Sequence, residues 1–355
     1  MIQKSLKDIS WQVSEEEYRK DPALSYSTLA KYEREGGFNS LPTLFDKVST
    51  PSLTFGSVVD VLLLGTPEEF RERFLVAELP GLSDTLQGIA DVLFEKHCVT
   101  AMHDTPFKDI PDESIALVGE KLGYYASPKY KNYRIKQIRE NCEEYYNLRL
   151  ILKDKELISS QDYADAQACC NAIKSAPGIS DFFVENPFNE DVELLFQLKF
   201  KGNHDGVPYR SMMDICRVDH KNKIIYPADL KTSSHNEWEF YKSFVQWLYS
   251  IQAQLYVRNI KQTITKDDYF KDFKVADYTF IVVNRKTLKP LKWTFPFTHS
   301  ECGWSYETPS GFKAKFRDPY VIGKELWTYL QFPANLPVDV KPDGDNDIVA
   351  FLQKK

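Results

Sequence analysis

The chain has few cysteines, six in 355 residues, and none makes a Cys-x-x-C pair or a Cys/His ligand spacing. That excludes a zinc finger or ribbon and a thioredoxin-like redox centre. Cys98, Cys142, Cys169, Cys170, Cys216 and Cys302 read as free thiols, with Cys169-Cys170 packing in an Ala-rich helix, and this suits a reducing cytoplasm. No apolar run is long enough to span a bilayer, and no signal-peptide or lipidation pattern appears, so no membrane role is expected. No glycine-rich loop is placed to cradle phosphates, and the six scattered histidines form no Ser-His-Asp pattern. His235 closely follows the charged triplet Asp229-Leu230-Lys231, and reads better as a turn histidine than as a phosphate ligand. Positive charge is also lacking, since the net charge is −6. Nucleic-acid binders are often basic, yet phosphate contact needs only a local patch. Many acidic residues here fall in Glu15-Glu16-Glu17 and in the run Asp343 to Asp347. Hydrophobic residues make up 43% and aromatics 14%, enough for a sizeable core in one large domain or two small ones.

What is present is a series of polar anchors on patterned segments. The run 224–231 reads as a short buried strand ending in Asp229-Leu230-Lys231. Strand alternation puts Asp229 and Lys231 on one face and Leu230 in the core. A carboxylate holds Mg²⁺, a lysine two residues on orients or helps deprotonate water, and the Leu230 carbonyl is a further oxygen ligand. The triplet alone is weak, because Asp-x-Lys recurs at Asp219-His220-Lys221 and Asp272-Phe273-Lys274. Its context adds weight. Val192, Leu194, Phe196, Leu198 and Phe200 alternate on one face of a strand whose other face opens with Glu193. After a turn at 202–206, residues 209–218 read as a second strand carrying Asp214. An antiparallel meander would bring Glu193, Asp214 and Asp229 together, and acidic groups converging inside a sheet are costly unless a cation neutralises them.

A helix is expected from about 236 to 260, with Phe240, Phe244, Trp247, Leu248, Ile251 and Leu255 at helical spacing. Gln252 and Tyr256, four apart, share a face suited to a phosphate or a bound water. The plainer alternative makes Tyr256 a core aromatic and Gln252 a surface residue. A basic, aromatic stretch from Lys121 to Lys155 includes Lys129, Lys131, Arg134, Lys136, Arg139 and Arg149 among Tyr124, Tyr125, Tyr130, Tyr133, Tyr145 and Tyr146. Such interleaving suits a tracked nucleic-acid strand, though a solvated helix with its tyrosines on the inner side is the favoured reading. Arg210 and Arg217, beside Asp214, are the better single candidates for phosphate contact.

Glu193, Asp214, Asp229-Leu230-Lys231 and the segment from Gln252 to Tyr256 together resemble the PD-(D/E)xK nuclease core. The Gln-x-x-x-Tyr helix is similar to that of the branch holding RecB nuclease domains, lambda exonuclease and RecE-type exonucleases (exonuclease VIII). The segments 24–29 and 55–64 also resemble the early Ser-rich helix start and the Gly-containing helix of RecE-type proteins, so the likeness runs from about residue 16 to 260. It implies an α/β (α+β) fold with a restriction-endonuclease-like core, a central mixed sheet flanked by helices and a helical N-terminal part. It implies metal ligation by Asp214, Asp229, the Leu230 carbonyl and Glu193, a water-positioning role for Lys231, and bracing or phosphate contact by Gln252 and Tyr256. One departure stands out. Family members usually carry His where this chain has Asp60, itself a good Mg²⁺ ligand; the alternative leaves Asp60 on the solvent side of an apolar helix. The cofactor implied is Mg²⁺, with Mn²⁺ as a substitute. Some relatives carry a four-cysteine iron–sulfur cluster, and the spacing for one is absent here.

The activity implied is 5′ to 3′ exonucleolytic hydrolysis at double-stranded DNA ends, leaving 3′ overhangs for recombination. A single-strand annealing protein and a homo-oligomeric ring are the implied partner and assembly. The alternatives are an endonuclease of the same superfamily and a non-catalytic nucleic-acid-binding module that keeps the fold. Residues 1–355 are read as one integrated domain: a mostly helical part over 1–180, the core over 181–335 and an acidic tail over 336–355. Within it, N-caps are expected at Ser14 and Ser25, a turn-rich stretch over 80–112, helices over 128–150 and 160–175, strands over 278–283 and 291–295, and a helix over 320–332.

Overall fold

The computed structural model describes residues 4–46, 50–152, 155–296, 304–307 and 313–332. The expected acidic tail and Cys302 lie outside these residues. Contacts divide the chain into two compact units, Met1–Leu64 with Ala166–Lys355, and Gly65–Asp165, where the sequence pattern suggests one integrated domain.

The first unit is built on a mixed sheet. Its strands are β1 (Val192–His204), β2 (Val207–Asp219), β3 (Ile224–Ser233), β4 (Lys274–Val275), β5 (Tyr278–Asn284) and β6 (Leu291–Phe295), in the order β1-β2-β3-β5-β6 with β4 also on β3. The β1–β2–β3 meander is antiparallel, as alternation indicated, and β3 pairs parallel with β5. Asp205 and Gly206 close the first hairpin with φ of 50° and 81°, the left-handed pair that a two-residue type I′ turn demands and that Asp-Gly supplies. Its register runs from His204↔Val207 back to Val192↔Asp219. The regular pairing lapses at Gln197, whose φ is 53°, directly across from Asp214. A non-glycine residue there is strained, and such strain gathers near functional sites.

Among the described residues, helices on this sheet include α1 (Tyr26–Arg34), α2 (Pro51–Leu64), α3 (Phe240–Gln246), α4 (Tyr249–Ile264) and α5 (Pro319–Gln331). Ser25 caps α1 through the Thr28 N–H, and Ser14 caps a short helix at Glu15–Lys20, both as read from sequence. The single helix expected over 236–260 is in fact two, broken at Trp247-Leu248, with Leu248 left-handed at φ 54°. Phe244 anchors the core between them, its ring 4.4 Å from that of Trp293, 5.6 Å from Phe295 and 5.9 Å from Phe280. α4 lies close on β1: a Cβ on Gly202 would fall 2.3 Å from Asn259 Oδ1.

The second unit is helical, with Asp84–Phe94, Asp112–Lys121 and Lys131–Leu152 packed around Ile89, Leu93, Ile115, Ile138, Cys142 and Tyr146. A parallel pair, Phe74–Val76 with Glu156–Ile158, completes it. The stretch expected to be turn-rich contains the helix Asp84–Phe94, started by the Ser83 side chain on the Leu86 N–H. No helix among the described residues is long and apolar enough to cross a membrane.

Candidate active site

Two strands parting make the site. β2 and β3 pair from Asp219↔Ile224 to Ile215↔Ala228 and then diverge. Asp214 and Asp229 are the next residues on either side of the fork. The Leu230 N–H, freed from a ladder partner on β2, donates instead to Asp214 Oδ2 at 3.0 Å. β3 keeps its other edge on β5, where Asp229↔Phe280 and Lys231↔Val282 hold the triplet in register. The N-terminal segment closes the far side of the fork: Leu24 donates its N–H to the Pro208 carbonyl and accepts from the Arg210 N–H, both at 2.9 Å. α1 therefore starts at the fork, and Tyr26 comes with it.

Asp229 is 1% exposed, and its Oδ2 lies in ionic contact with the Lys231 ammonium. Gln252 Nε2 donates to its Oδ1 at 2.5 Å. Gln252 is buried, so the amide belongs to the site and not to the surface. Tyr256, one turn on, is buried too, and burial followed by Tyr18, Asp229 and Asp214 raises its phenol well above the usual range. Burial, then the charges of Asp229 and Asp60, pushes the Asp214 carboxyl well above its ordinary value. Burial alone would lower Lys231, but Asp229, then Tyr249 and Asp214, more than offset it and raise the ammonium above its usual pKa. Lys231 is thus a proton-bearing donor. Asp60, half-buried on α2, belongs to this electrostatic group, and α2 reaches β3 closely at Gly56, where a Cβ would lie 3.3 Å from Thr232 Oγ1.

Several candidates stand elsewhere. Glu193 pairs in register with Val218, four residues along β2 from Asp214, or roughly 13 Å at the usual strand rise. Its carboxylate accepts from the Ser5 hydroxyl at 2.5 Å and faces His220 Nε2 at 3.3 Å, so it clasps the N-terminal segment and is not part of the aspartate pair. Arg217 differs from Asp214 in strand parity, so it lies on the opposite face and covers the Tyr226 ring at 5.3 Å. Arg210 shares the face of Asp214 but is turned to Tyr18, donating to its carbonyl and stacking on its ring at 5.0 Å. In the second unit Arg134 is 1% exposed and bound to Glu120 and the Tyr125 carbonyl; it is a core residue, not a DNA contact. Lys131 is exposed.

Three tyrosines that sequence reading did not single out frame the cluster. The Lys231 ammonium lies 5.0 Å from the Tyr249 ring centre. Tyr26 donates to the Trp247 carbonyl at 2.7 Å, and its phenol feels the charges of Lys231 and Asp229. Tyr278, on β5, is buried with its hydroxyl unpartnered. Tyr249 had a signal, since 249, 252 and 256 share one helical face. Tyr278 had none, because parallel pairing of β3 with β5 is a long-range event.

Among the described residues, no group of three or more His, Cys, Asp or Glu side chains is placed to hold a metal ion. The fork instead offers two adjacent carboxylates, buried Asp229 and half-buried Asp214, with oxygens of other kinds. Gln252 Oε1 is buried with no donor, an orphaned acceptor beside the aspartates. Mg²⁺ commonly takes one or two carboxylates and keeps several waters. The donor set of Asp214, Asp229 and the Leu230 carbonyl, with Asp60 near, fits that habit.

No known protein family matches this chain, and no curated protein does either. Among solved structures, it is similar to a Eubacterium rectale protein called "Putative exonuclease", at 11% identity and a TM-score of 0.39, covering 81% of this chain and 79% of that one. A likeness of that size is too slight to indicate function, and the residues themselves must carry the functional reading.

Proposed function

We propose that this protein is a divalent-metal-dependent deoxyribonuclease of the RecE-type branch, hydrolysing from duplex ends, 5′ to 3′. The observation that carries the reading is the pairing of buried Asp229 with half-buried Asp214 at a strand fork, with Lys231 on the same face and Gln252 hydrogen-bonded between helix and strand. Two like charges brought together at a fork, one of them buried, oppose the fold unless a cation serves them. Asp214, Asp229 and the Leu230 carbonyl would hold Mg²⁺, or Mn²⁺ in its place, with Asp60 adding negative charge. The ion would neutralise the site and polarise water and the scissile phosphate.

The chain's own residues do the rest. Lys231, held as an ammonium by Asp229, donates to the attacking water or to a phosphate oxygen as charge develops there. Gln252 fixes the Asp229 carboxylate in one orientation. Tyr256 and Tyr249 wall the cluster and keep bulk water from Lys231, which strengthens each charge interaction inside. No covalent intermediate is needed, since water is the nucleophile.

The test is digestion of linear duplex DNA labelled at either end, with Mg²⁺, beside a covalently closed circle and the Lys231→Ala protein. The reading expects 5′ label released as mononucleotides from linear DNA only, and none from the variant, which still binds DNA. A nicked or linearised circle would make the protein an endonuclease. Intact substrates with both Mg²⁺ and Mn²⁺ would leave a nucleic-acid-binding module. A single-strand annealing partner and a ring assembly belong to this proposal as further expectations.

A further inference from the structure

The unit Gly65–Asp165 contains no residue of the aspartate cluster, yet it carries an unusual surface. Tyr125, Tyr130 and Tyr133 are 43%, 42% and 45% exposed, so each leaves nearly half its surface to solvent instead of packing inward. They form one group, with the Tyr125 ring centre 6.0 Å from that of Tyr130 and 4.9 Å from that of Tyr133, and Tyr124 adjoins it at 4.9 Å. The tyrosines of the same stretch that serve the core are others, Tyr145 and Tyr146, both buried. The solvated-helix reading therefore holds for only part of the segment.

The group is held in place. Tyr125 sits in the left-handed region at φ 45°, a conformation costly for an aromatic residue. The buried Arg134 guanidinium donates to the Tyr125 carbonyl, at 2.5 Å, and fixes that turn. Lys129 lies over the Tyr130 ring at 4.8 Å, and Lys131 stands exposed between Tyr130 and Tyr133 in sequence. Neither lysine forms an ion pair among the described residues. Exposed aromatic faces with unneutralised ammonium groups beside them are what a single-stranded nucleic acid requires: bases stack on the rings and phosphates meet the cations. An aromatic core would bury these rings, and an ordinary solvated face would pair these lysines with acids, as Lys136 pairs with Glu140 at 3.8 Å.

We propose that Tyr125, Tyr130 and Tyr133, with Lys129 and Lys131, form a second nucleic-acid site that binds single strands without sequence preference. The site shares no residue with the proposed hydrolytic centre and does not depend on it. Binding is measured in EDTA, so that no cleavage intervenes, by fluorescence anisotropy of a labelled oligothymidylate. A 5-iodouracil version of the oligonucleotide is cross-linked and the attachment mapped. The proposal expects cross-links within 121–139. It expects affinity to fall at least tenfold in the triple Tyr→Ala protein, since each lost ring removes a surface on which a base stacks. The triple Tyr→Phe protein keeps the rings and should bind within about twofold of the parent, which separates stacking from any loss of fold. Replacing Lys129 and Lys131 by Gln should reduce the salt dependence by about 0.7 per charge. Unchanged affinity in the Tyr→Ala protein, cross-links confined to residues outside 121–139, or displacement of the oligonucleotide by polyglutamate as readily as by competitor DNA would each overturn it.

Discussion

Replacing Gly202 with Ala tests how α4 is set against the sheet. The added Cβ would stand 2.3 Å from Asn259 Oδ1 and 2.9 Å from Gln262 Oε1, closer than a carbon-oxygen contact without a hydrogen bond tolerates. Both side chains are committed. Asn259 donates to Ser211 Oγ at 3.1 Å, and Gln262 accepts the Asn203 N–H at 3.0 Å. Overpacking of this kind costs ~1–3 kcal/mol. Two strained hydrogen bonds add about 1 kcal/mol each, so the total is roughly 3–5 kcal/mol. At about 2–4 °C per kcal/mol for a unit of this size, the melting temperature should fall by roughly 6–20 °C. α4 also carries Gln252, so cleavage should weaken at temperatures where the variant is still folded. The assay is thermal unfolding followed by circular dichroism, with Gly88→Ala as the control, since a Cβ there meets nothing within 4 Å. Removing the obstruction in Gly202→Ala/Asn259→Ala should recover part of the loss. A Gly202→Ala protein melting within about 1 °C of the parent would refute this account of the interface.

Three other expectations are open to direct measurement. Glu193→Gln should leave kcat/KM within about threefold while loosening the N-terminal segment, seen as faster proteolysis there; a loss as deep as that of Asp214→Asn would put Glu193 back at the site. Asp60→His should retain Mg²⁺-dependent cleavage, whereas a folded but inactive variant, judged by circular dichroism, would rule out ligation from that position. Glu325 bears on acid stability: burial would raise its pKa, but the Tyr32 hydroxyl and Arg317 hold it below its ordinary value. A depressed carboxylate stabilises above its unfolded pKa and loses that contribution as pH falls through the folded value. Glu325→Gln should therefore melt below the parent at about pH 6 and converge with it near pH 3; a constant gap across that window would refute the assignment.

Much of the site was legible because it lies on short-range patterns. Alternation placed Asp229 with Lys231, helical spacing placed Gln252 with Tyr256, and both pairs are found as read. Glu193 failed for a reason the sequence contained: counting back from the His204–Val207 turn sets Gln197, not Glu193, across from Asp214. The helix break at Leu248 left no mark, because neither Gly nor Pro interrupts the apolar spacing from Phe240 to Leu255. Arg134 read as a surface cation because its partners, Glu120 and the Tyr125 carbonyl, lie on another helix and the turn after it, where Gly119 leaves room for its stem. Such burial depends on contacts distant in sequence and has no local signature.

The crossover from β3 to β5 shapes how this protein comes into being. Parallel neighbours cannot be joined by a tight turn, and here the whole of α3 and α4 lies between them. The meander that presents Asp214 and Asp229 closes through near neighbours in the chain, whereas the docking of α4 waits on contacts that are slow to find. Gln252, Tyr249 and Tyr256 reach the aspartates only with that docking. A nascent or half-folded chain would thus hold its acidic pair without the residues that orient it. On the proposed function, hydrolytic competence would arrive only with that docking, and unfinished copies would leave DNA uncut.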